Sequence, residues 1–221
     1  MLHFKINRVS MKFLKNLAIA IIEFVIFCLA YYQFWFLRQP ARKIPNNNAV
    51  FVAPANGKVV SVKKWNTQSL TELKGELGAI KVWTKDVDTA GTIISIQMDP
   101  TNVHFQRAPV AGKVVSKRYT EGSFNNAVVM SNEYGIRFEN EHNEFLMETT
   151  TGKKYKVVQI SGFLARRIVD YTQANQEVKQ GYVIGLIKLG SQVTVILPHD
   201  VNVLVKTGET TIDGETVIAT Q

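Results

Sequence analysis

Between Leu17 and Leu37 the chain reads LAIAIIEFVIFCLAYYQFWFL, an apolar run whose strongly polar interruptions are Glu23 and Gln33. About 20 such residues are enough to cross a hydrocarbon core, so the run predicts one membrane helix. Tyr31, Tyr32, Trp35 and Phe36 crowd its far end, where aromatic rings suit the headgroup level. A cleaved secretory signal has a shorter apolar region ending in small residues, and no such ending is evident here. Lys12 and Lys15 precede the run, and Arg38, Arg42 and Lys43 follow it. Basic residues on both flanks argue against a buried core helix, and they leave the orientation unassigned.

Residues 38–48 (RQPARKIPNNN) are polar, with two prolines and a run of asparagines, and read as a linker. The expected division is an anchor and linker over 1–45 and a globular domain over 46–221. The domain is punctuated by short β-prone runs between turn signals: VFVAP, KVVSVKKW, AIKVW, TIISIQM, KVVSKRY, AVVMS, YGIRFE, FLMET, KKYKVVQI, VTVILP, VNVLV and TVIA. That spacing predicts a mainly β fold, an antiparallel sandwich or barrel-like domain with few short helices. GFLARRIVDYTQ, from Gly162, reads as its one helical piece. Residues 53–61 (APANGKVVS) and 108–116 (APVAGKVVS) agree at seven of nine positions, each a Pro/Gly turn opening a strand. Biotinyl and lipoyl carriers also have internally repeated sheets, but no hairpin-tip lysine of the carrier type is present.

With 46% hydrophobic residues the chain has enough apolar material for a core. Its single cysteine, Cys28, lies inside the membrane run, which excludes a disulfide framework or a cysteine-based zinc site. Lys and Arg exceed Asp and Glu by 26 to 18, and the net charge of +8 favours an anionic partner such as a phospholipid surface. Nucleic-acid binding fits the charge but lacks a recognised motif and leaves the membrane run unexplained.

Several blocks, in order, carry a family resemblance: FWFLRQPARKIP, FVAPANGKVV, MDPTNVHFQRAPVAGKV, GSFNNA, ENEH, VVQISGFLARRIVDY, GYVIGLIKLGSQVTVILP and TGETTIDGETVIA. From about Phe34 to Ala219 the chain resembles the short, pyruvoyl-dependent form of phosphatidylserine decarboxylase. The resemblance implies a zymogen that cuts itself between Gly190 and Ser191 into a β chain of 1–190 and an α chain of 191–221. Ser191 Oγ would attack the Gly190 carbonyl, and β-elimination of the ester would leave a dehydroalanine that hydrolyses to a pyruvoyl group and ammonia. Glycine suits such a bond because it leaves the carbonyl open. The new ketone would form a Schiff base with the serine headgroup and accept the electrons released with carbon dioxide. No metal or other cofactor is implied.

By the same resemblance His104 is the proton-transfer candidate, a role suited to imidazole. His142, in ENEH, stands where the family pattern has Arg, and His199 reads as an exposed loop residue. Arg107, Arg166 and Arg167 are the candidate hosts for a phosphodiester and a carboxylate, since the guanidinium fork matches both. Of the adjacent pair, one is expected to face the site. Asn56 departs from the pattern, which has Asp there to orient and charge-stabilise the catalytic histidine. Asn accepts a hydrogen bond but cannot balance an imidazolium, so slow self-cleavage is expected, accelerated by Asn56→Asp.

The activity implied is conversion of phosphatidylserine to phosphatidylethanolamine at a cell membrane, with the domain on the cytoplasmic face where the family works. The alternatives are decarboxylation of archaetidylserine or another serine-headed lipid, and an unprocessed relative that only binds lipid. The implied partners are the phospholipid substrate, the membrane and the two chains of one precursor, with a homo-oligomer left open.

Overall fold

The computed structural model describes residues 8–67, 82–124, 136–137, 139–162, 167–188 and 191–221, with backbone alone at 8–10 and 191. It forms two compact units, Met1–Arg38 and Gln39–Gln221.

In the first unit, helix α1 (Arg8–Ala30) runs into a π-helical segment, Tyr31–Phe36. The span Met11–Phe36 is long and apolar enough to cross a membrane, and its most apolar stretch is not buried by protein. A helix meets its own backbone hydrogen bonds, which hydrocarbon demands of any crossing segment. The π-helical segment places Tyr32 over Phe36, with ring centroids 5.5 Å apart. Arg38 closes it, its guanidinium 4.5 Å from the Trp35 ring centre and its Nη1 donating to the Trp35 carbonyl at 2.7 Å. The aromatic and basic residues expected at the headgroup level are thus bound to one another.

The second unit is mainly β. Its principal strands are β2 (Gly57–Asn66), β3 (Ala90–Met98), β5 (Gly112–Thr120), β6 (His142–Thr149), β7 (Lys154–Ile160) and β11 (Ser191–Pro198). With the short β9 (Glu177–Val178) and β13 (Thr210–Thr211) they form one eight-stranded sheet of order β13-β2-β3-β11-β7-β6-β5-β9. The β6–β7 hairpin turns at Thr151-Gly152, as its alternation indicates. β1 (Val50–Val52), β14 (Val217–Thr220) and β12 (Asn202–Val203) make one small sheet. The other is built from β4 (Phe105–Arg107), β10 (Val183–Lys188) and β8 (Arg167–Asp170).

Period-2 alternation divides the large sheet between two cores. Ile94, Ile96, Val157, Val193, Val195 and Leu197 face the main one, while Ile93, Val158, Ile160 and Ile196 face a second with Trp65 and Trp83. Tyr155 is fully buried in the main core, where burial pushes its phenol well above the ordinary range. The internal repeat has a structural counterpart. Val52 N–H donates to the Pro109 carbonyl at 2.9 Å, Arg107 N–H donates to Pro54 at 2.8 Å, and β2 and β5 each break register three residues into the strand. Gly57 is required where it sits, because a Cβ there would lie 2.1 Å from the Gln97 carbonyl oxygen.

Three local expectations change. Within GFLARRIVDYTQ, residues 167–170 are strand β8, paired with β10 from Arg167↔Lys188 to Asp170↔Gly185; residues 163–166 lie outside the described ones. The β-branched pair Ile168-Val169 takes a ladder that local helical spacing cannot anticipate. In AIKVW, residues 82–84 form a helical turn that brings Trp83 to the second core, and the described part of YGIRFE contains no strand. AVVMS lies outside the described residues.

The stretch read as a linker is packed. Arg42 pairs with Asp213, Lys43 N–H donates to Glu215 Oε1 at 3.0 Å, and Asn47 N–H donates to Gln180 Oε1 at 3.0 Å. The Ile44 side chain fills the space over Gly181 and Gly214, where a Cβ would meet it at 2.4 and 2.7 Å. The compact unit therefore begins at Gln39 rather than 46. A chain of 39–221 is expected to fold and leave the membrane fraction at high salt. A chain of 46–221 should melt roughly 5 °C lower, because it removes one of the two cations on the buried Asp213 carboxylate, a charged contact worth about 1.5–3 kcal/mol, while Arg107 keeps the other. Calorimetry of the two truncations checks this, and equal melting temperatures would deny Arg42 that role.

Candidate active site

β10 belongs to the small sheet with β4 and β8, whereas β11 lies at the centre of the large one. The chain changes sheets between Lys188 and Ser191, across the bond expected to break. Gly190 itself is outside the described residues. Ser191 begins β11 opposite Met98, and the next residue, Gln192, is flanked by Gln97 of β3 and Ile160 of β7.

His104 reaches this neighbourhood through its backbone. Its carbonyl accepts Ile187 N–H at 3.2 Å, just before the sheet change, and Gln106 Nε2 at 2.7 Å. The side chain is fully buried, with Nδ1 2.9 Å from the Asn102 carbonyl. A carbonyl can only accept, so Nδ1 carries the proton and the basic lone pair belongs to Nε2. Below it runs a line of buried amides. Gln106 Nε2 also approaches Met98 Sδ at 3.7 Å, Gln159 Nε2 donates to Gln106 Oε1 at 2.7 Å, and Asn143 Nδ2 donates to Gln159 Oε1 at 3.3 Å. Buried amides linked in series fix one another, and they hold β3, β4, β6 and β7 in one arrangement around the entry to β11.

Asn56 sits in the turn before β2. Its Oδ1 accepts the Asp213 main-chain N–H at 2.7 Å and Arg42 Nη2 at 3.3 Å. Neither partner is His104, so residue 56 does not orient that imidazole by a direct hydrogen bond. The carboxylate of Asp213, fully buried, is shared by Arg42 and by Arg107, whose Nε donates at 2.6 Å. Arg107 Nη1 donates to the Gly181 carbonyl at 2.9 Å. Much of the Arg107 fork is thereby engaged within the protein rather than presented to a ligand.

Arg167 is exposed at the start of β8, directly opposite Lys188 of β10, and no ion pair engages either among the described residues. Like charges facing each other across a ladder repel unless an anion lies between them. Arg166 lies outside the described residues. His142 packs against Trp83 with ring centres 5.0 Å apart, its Nδ1 2.8 Å from the Asn140 carbonyl. It borders an internal ion network in which Glu144 takes Lys156 at 2.8 Å and Arg118 at 2.6 Å. His199 is exposed and bonded to Asp88 at 2.6 Å. The residues missed in the sequence are Gln106, Gln159, Asp213, Arg42 and Lys188. Gln159 carried a readable signal, because it shares the inward face of β7 with Tyr155 and Val157, where a polar side chain needs a partner.

The family model described as phosphatidylserine decarboxylase matches residues 30–219. A phosphatidylserine decarboxylase proenzyme of Chlorobaculum tepidum is 37% identical over 202 residues, covering 91% of this chain and 81% of that protein. A putative archaetidylserine decarboxylase proenzyme of Methanosarcina barkeri is 32% identical, covering 90% of this chain and 82% of its own. A phosphatidylserine decarboxylase proenzyme of Wolbachia pipientis is 34% identical, with 90% and 86% covered.

Proposed function

The chain belongs to the phosphatidylserine decarboxylase family, and from that premise we propose that it is a self-processing carboxy-lyase acting on phosphatidylserine at a membrane. The observation that carries the reading is the sheet change at Lys188–Ser191 beside buried His104. Self-cleavage needs a serine hydroxyl near the preceding carbonyl, a base to take its proton, and a backbone held against relaxation. Ser191 provides the hydroxyl. His104, with its basic nitrogen at Nε2, takes the hydroxyl proton and passes it to the Ser191 nitrogen as the ester forms; β-elimination then removes the Ser191 Cα proton and releases the Gly190 carboxylate, leaving a dehydroalanine. The β3 ladder holds the Ser191 backbone, β7 joins from Gln192 onward, and the Gln106–Gln159–Asn143 line holds the strands around it. Water then releases ammonia from the new terminus of 191–221. A pyruvoyl group formed there supplies an electron sink for loss of carbon dioxide. The chain can supply that group, because its precursor is a serine whose backbone begins β11 opposite Met98.

For the lipid headgroup, Arg167 and Lys188, which no ion pair engages among the described residues, are better placed than Arg107, which is engaged with Asp213 and Gly181. We assign the anionic part of the headgroup to that pair. Lys188→Ala is expected to raise KM about 10-fold or more with a smaller change in kcat, as loss of one charge-assisted contact predicts. An unchanged KM in a vesicle assay would remove the pair from binding.

The exposed apolar helix and the net charge of +8 support residence at a membrane; the cytoplasmic face is assigned to the domain from the family resemblance alone. Incubation with phosphatidylserine vesicles, followed by intact mass and by assay of phosphatidylethanolamine, tests the whole reading. An uncut chain that makes no product would replace it with lipid binding alone. Archaetidylserine is the second reading, favoured by the Methanosarcina relative, and the same assay with that lipid separates the two.

A further inference from the structure

We propose that Asp213 is a positioning residue for self-cleavage, carrying the buried negative charge that the family pattern places at residue 56, where this chain has Asn. The inference rests on the self-processing reading above and adds a residue to it. Two oxygens converge on a single nitrogen: Arg42 Nη2 donates both to Asp213 Oδ1 and to Asn56 Oδ1. The other partner of Asn56 Oδ1 is the main-chain N–H of Asp213, at 2.7 Å. Both partners of that oxygen are donors, so a carboxylate at 56 would satisfy them as the amide does. An acid at either position would meet the same guanidinium.

The charge balance leaves room for one such acid at least. Arg42 and Arg107 have side chains only 10% and 12% exposed, and Asp213 is the carboxylate they share. With Asn at 56, its removal would leave two nearly buried guanidiniums without a counter-charge, which proteins avoid.

The cluster reaches the cut through Arg107. That residue ends β4, its main-chain N–H is held by the Pro54 carbonyl at 2.8 Å, and three positions earlier the His104 carbonyl takes Ile187 N–H. β4 pairs with β10 at Phe105↔Leu186, and β10 leads directly to Gly190-Ser191. Fixing Arg107 against Asp213 therefore fixes the short ladder that ties His104 to β10, the strand that precedes Gly190-Ser191. Asp213 acts through Arg107, directly and by neutralising Arg42 on the same carboxylate, and does not touch the reacting atoms.

The test is the half-time of cleavage of the full chain in detergent, followed by intact mass, for the parent, Asp213→Asn, Asp213→Glu and the double variant Asn56→Asp/Asp213→Asn. Asp213→Asn is expected to slow cleavage about 100-fold or more, the scale of a misplacement of about 1 Å. The double variant should recover to within about 10-fold of the parent, and Asp213→Glu should cleave faster than Asp213→Asn. Asn56→Asp should accelerate cleavage more in the Asp213→Asn background than in the parent. A merely structural salt bridge would lower the melting temperature of these variants without changing the rate at which the folded fraction cleaves. Cleavage of Asp213→Asn at the parental rate overturns the proposal, as does a double variant that stays uncut, folded or not, while the parent is cut. A parent that never cuts, and so behaves as Ser191→Ala does, instead sinks the self-processing reading on which this one stands.

Discussion

Ser191→Ala is expected to leave the chain whole, with no fragments of 1–190 and 191–221 on a denaturing gel and decarboxylation at background. Alanine removes the only atom able to attack the preceding carbonyl, and without that attack no ketone is made. The loss is therefore complete rather than partial, because every molecule must be processed once before it can turn over. The variant should still fold. Ser191 begins a strand held by ladders to Met98 and beyond, and its replacement leaves those backbone bonds in place. A second readout follows from the position of β11. Val193, Val195, Ile196 and Leu197 are fully buried there, and at about 1.5–3 kcal/mol each they hold the strand with roughly 6–12 kcal/mol before its two ladders are counted. The processed parent should consequently migrate as two chains under denaturing conditions and as one particle under native ones. Fragments from Ser191→Ala, or native separation of the processed chains, would contradict this account.

His104→Ala is expected to slow self-cleavage by about 10²–10⁴-fold, the usual contribution of a positioned general base. The geometry separates this histidine from the other two in the domain. His104 is fully buried and bonded through its carbonyl to the strand that enters the cut. His142 lies against Trp83 and the Glu144 network, and His199 pairs with Asp88 at the surface. His199→Ala should leave cleavage and turnover within a few-fold of the parent. Time courses of intact mass compare the two variants, and equal rates for His104→Ala and the parent would remove His104 from the mechanism. Because the carbonyl of residue 104 makes the bond to Ile187, alanine keeps that bond and removes only the imidazole. The comparison thus reports on proton transfer rather than on the ladder.

Much of the architecture was legible in the residues alone because its signals are local. The apolar run to Leu37 needs no partner to declare itself, since length and hydrophobicity decide whether a segment suits a bilayer. Alternation in KVVSVKKW, TIISIQM and KKYKVVQI marks strands because a pleated backbone exposes every second side chain to the same face. Gly190-Ser191 and His104 were found as blocks of a family pattern, in which the order of several short motifs carries more information than any one of them.

What the sequence could not supply was pairing. Arg167–Asp170 became a strand because β10 offers it a ladder, and nothing within GFLARRIVDYTQ reveals that neighbour. The Pro/Asn stretch after Arg38 looked like a spacer, yet Arg42, Ile44 and Asn47 bind turns that lie more than a hundred residues away in the chain. Asn56 drew attention as a missing charge. Only the fold showed a carboxylate, that of Asp213, on the same guanidinium from 157 positions further along. By itself, the sequence determined an apolar helix long enough to cross a membrane, the β character of the domain and the family, because each is written in the composition and order of neighbouring residues. The tertiary structure alone decided which charges share a partner and which strands meet where the chain changes sheets, because charge balance and ladder formation depend on distance in space.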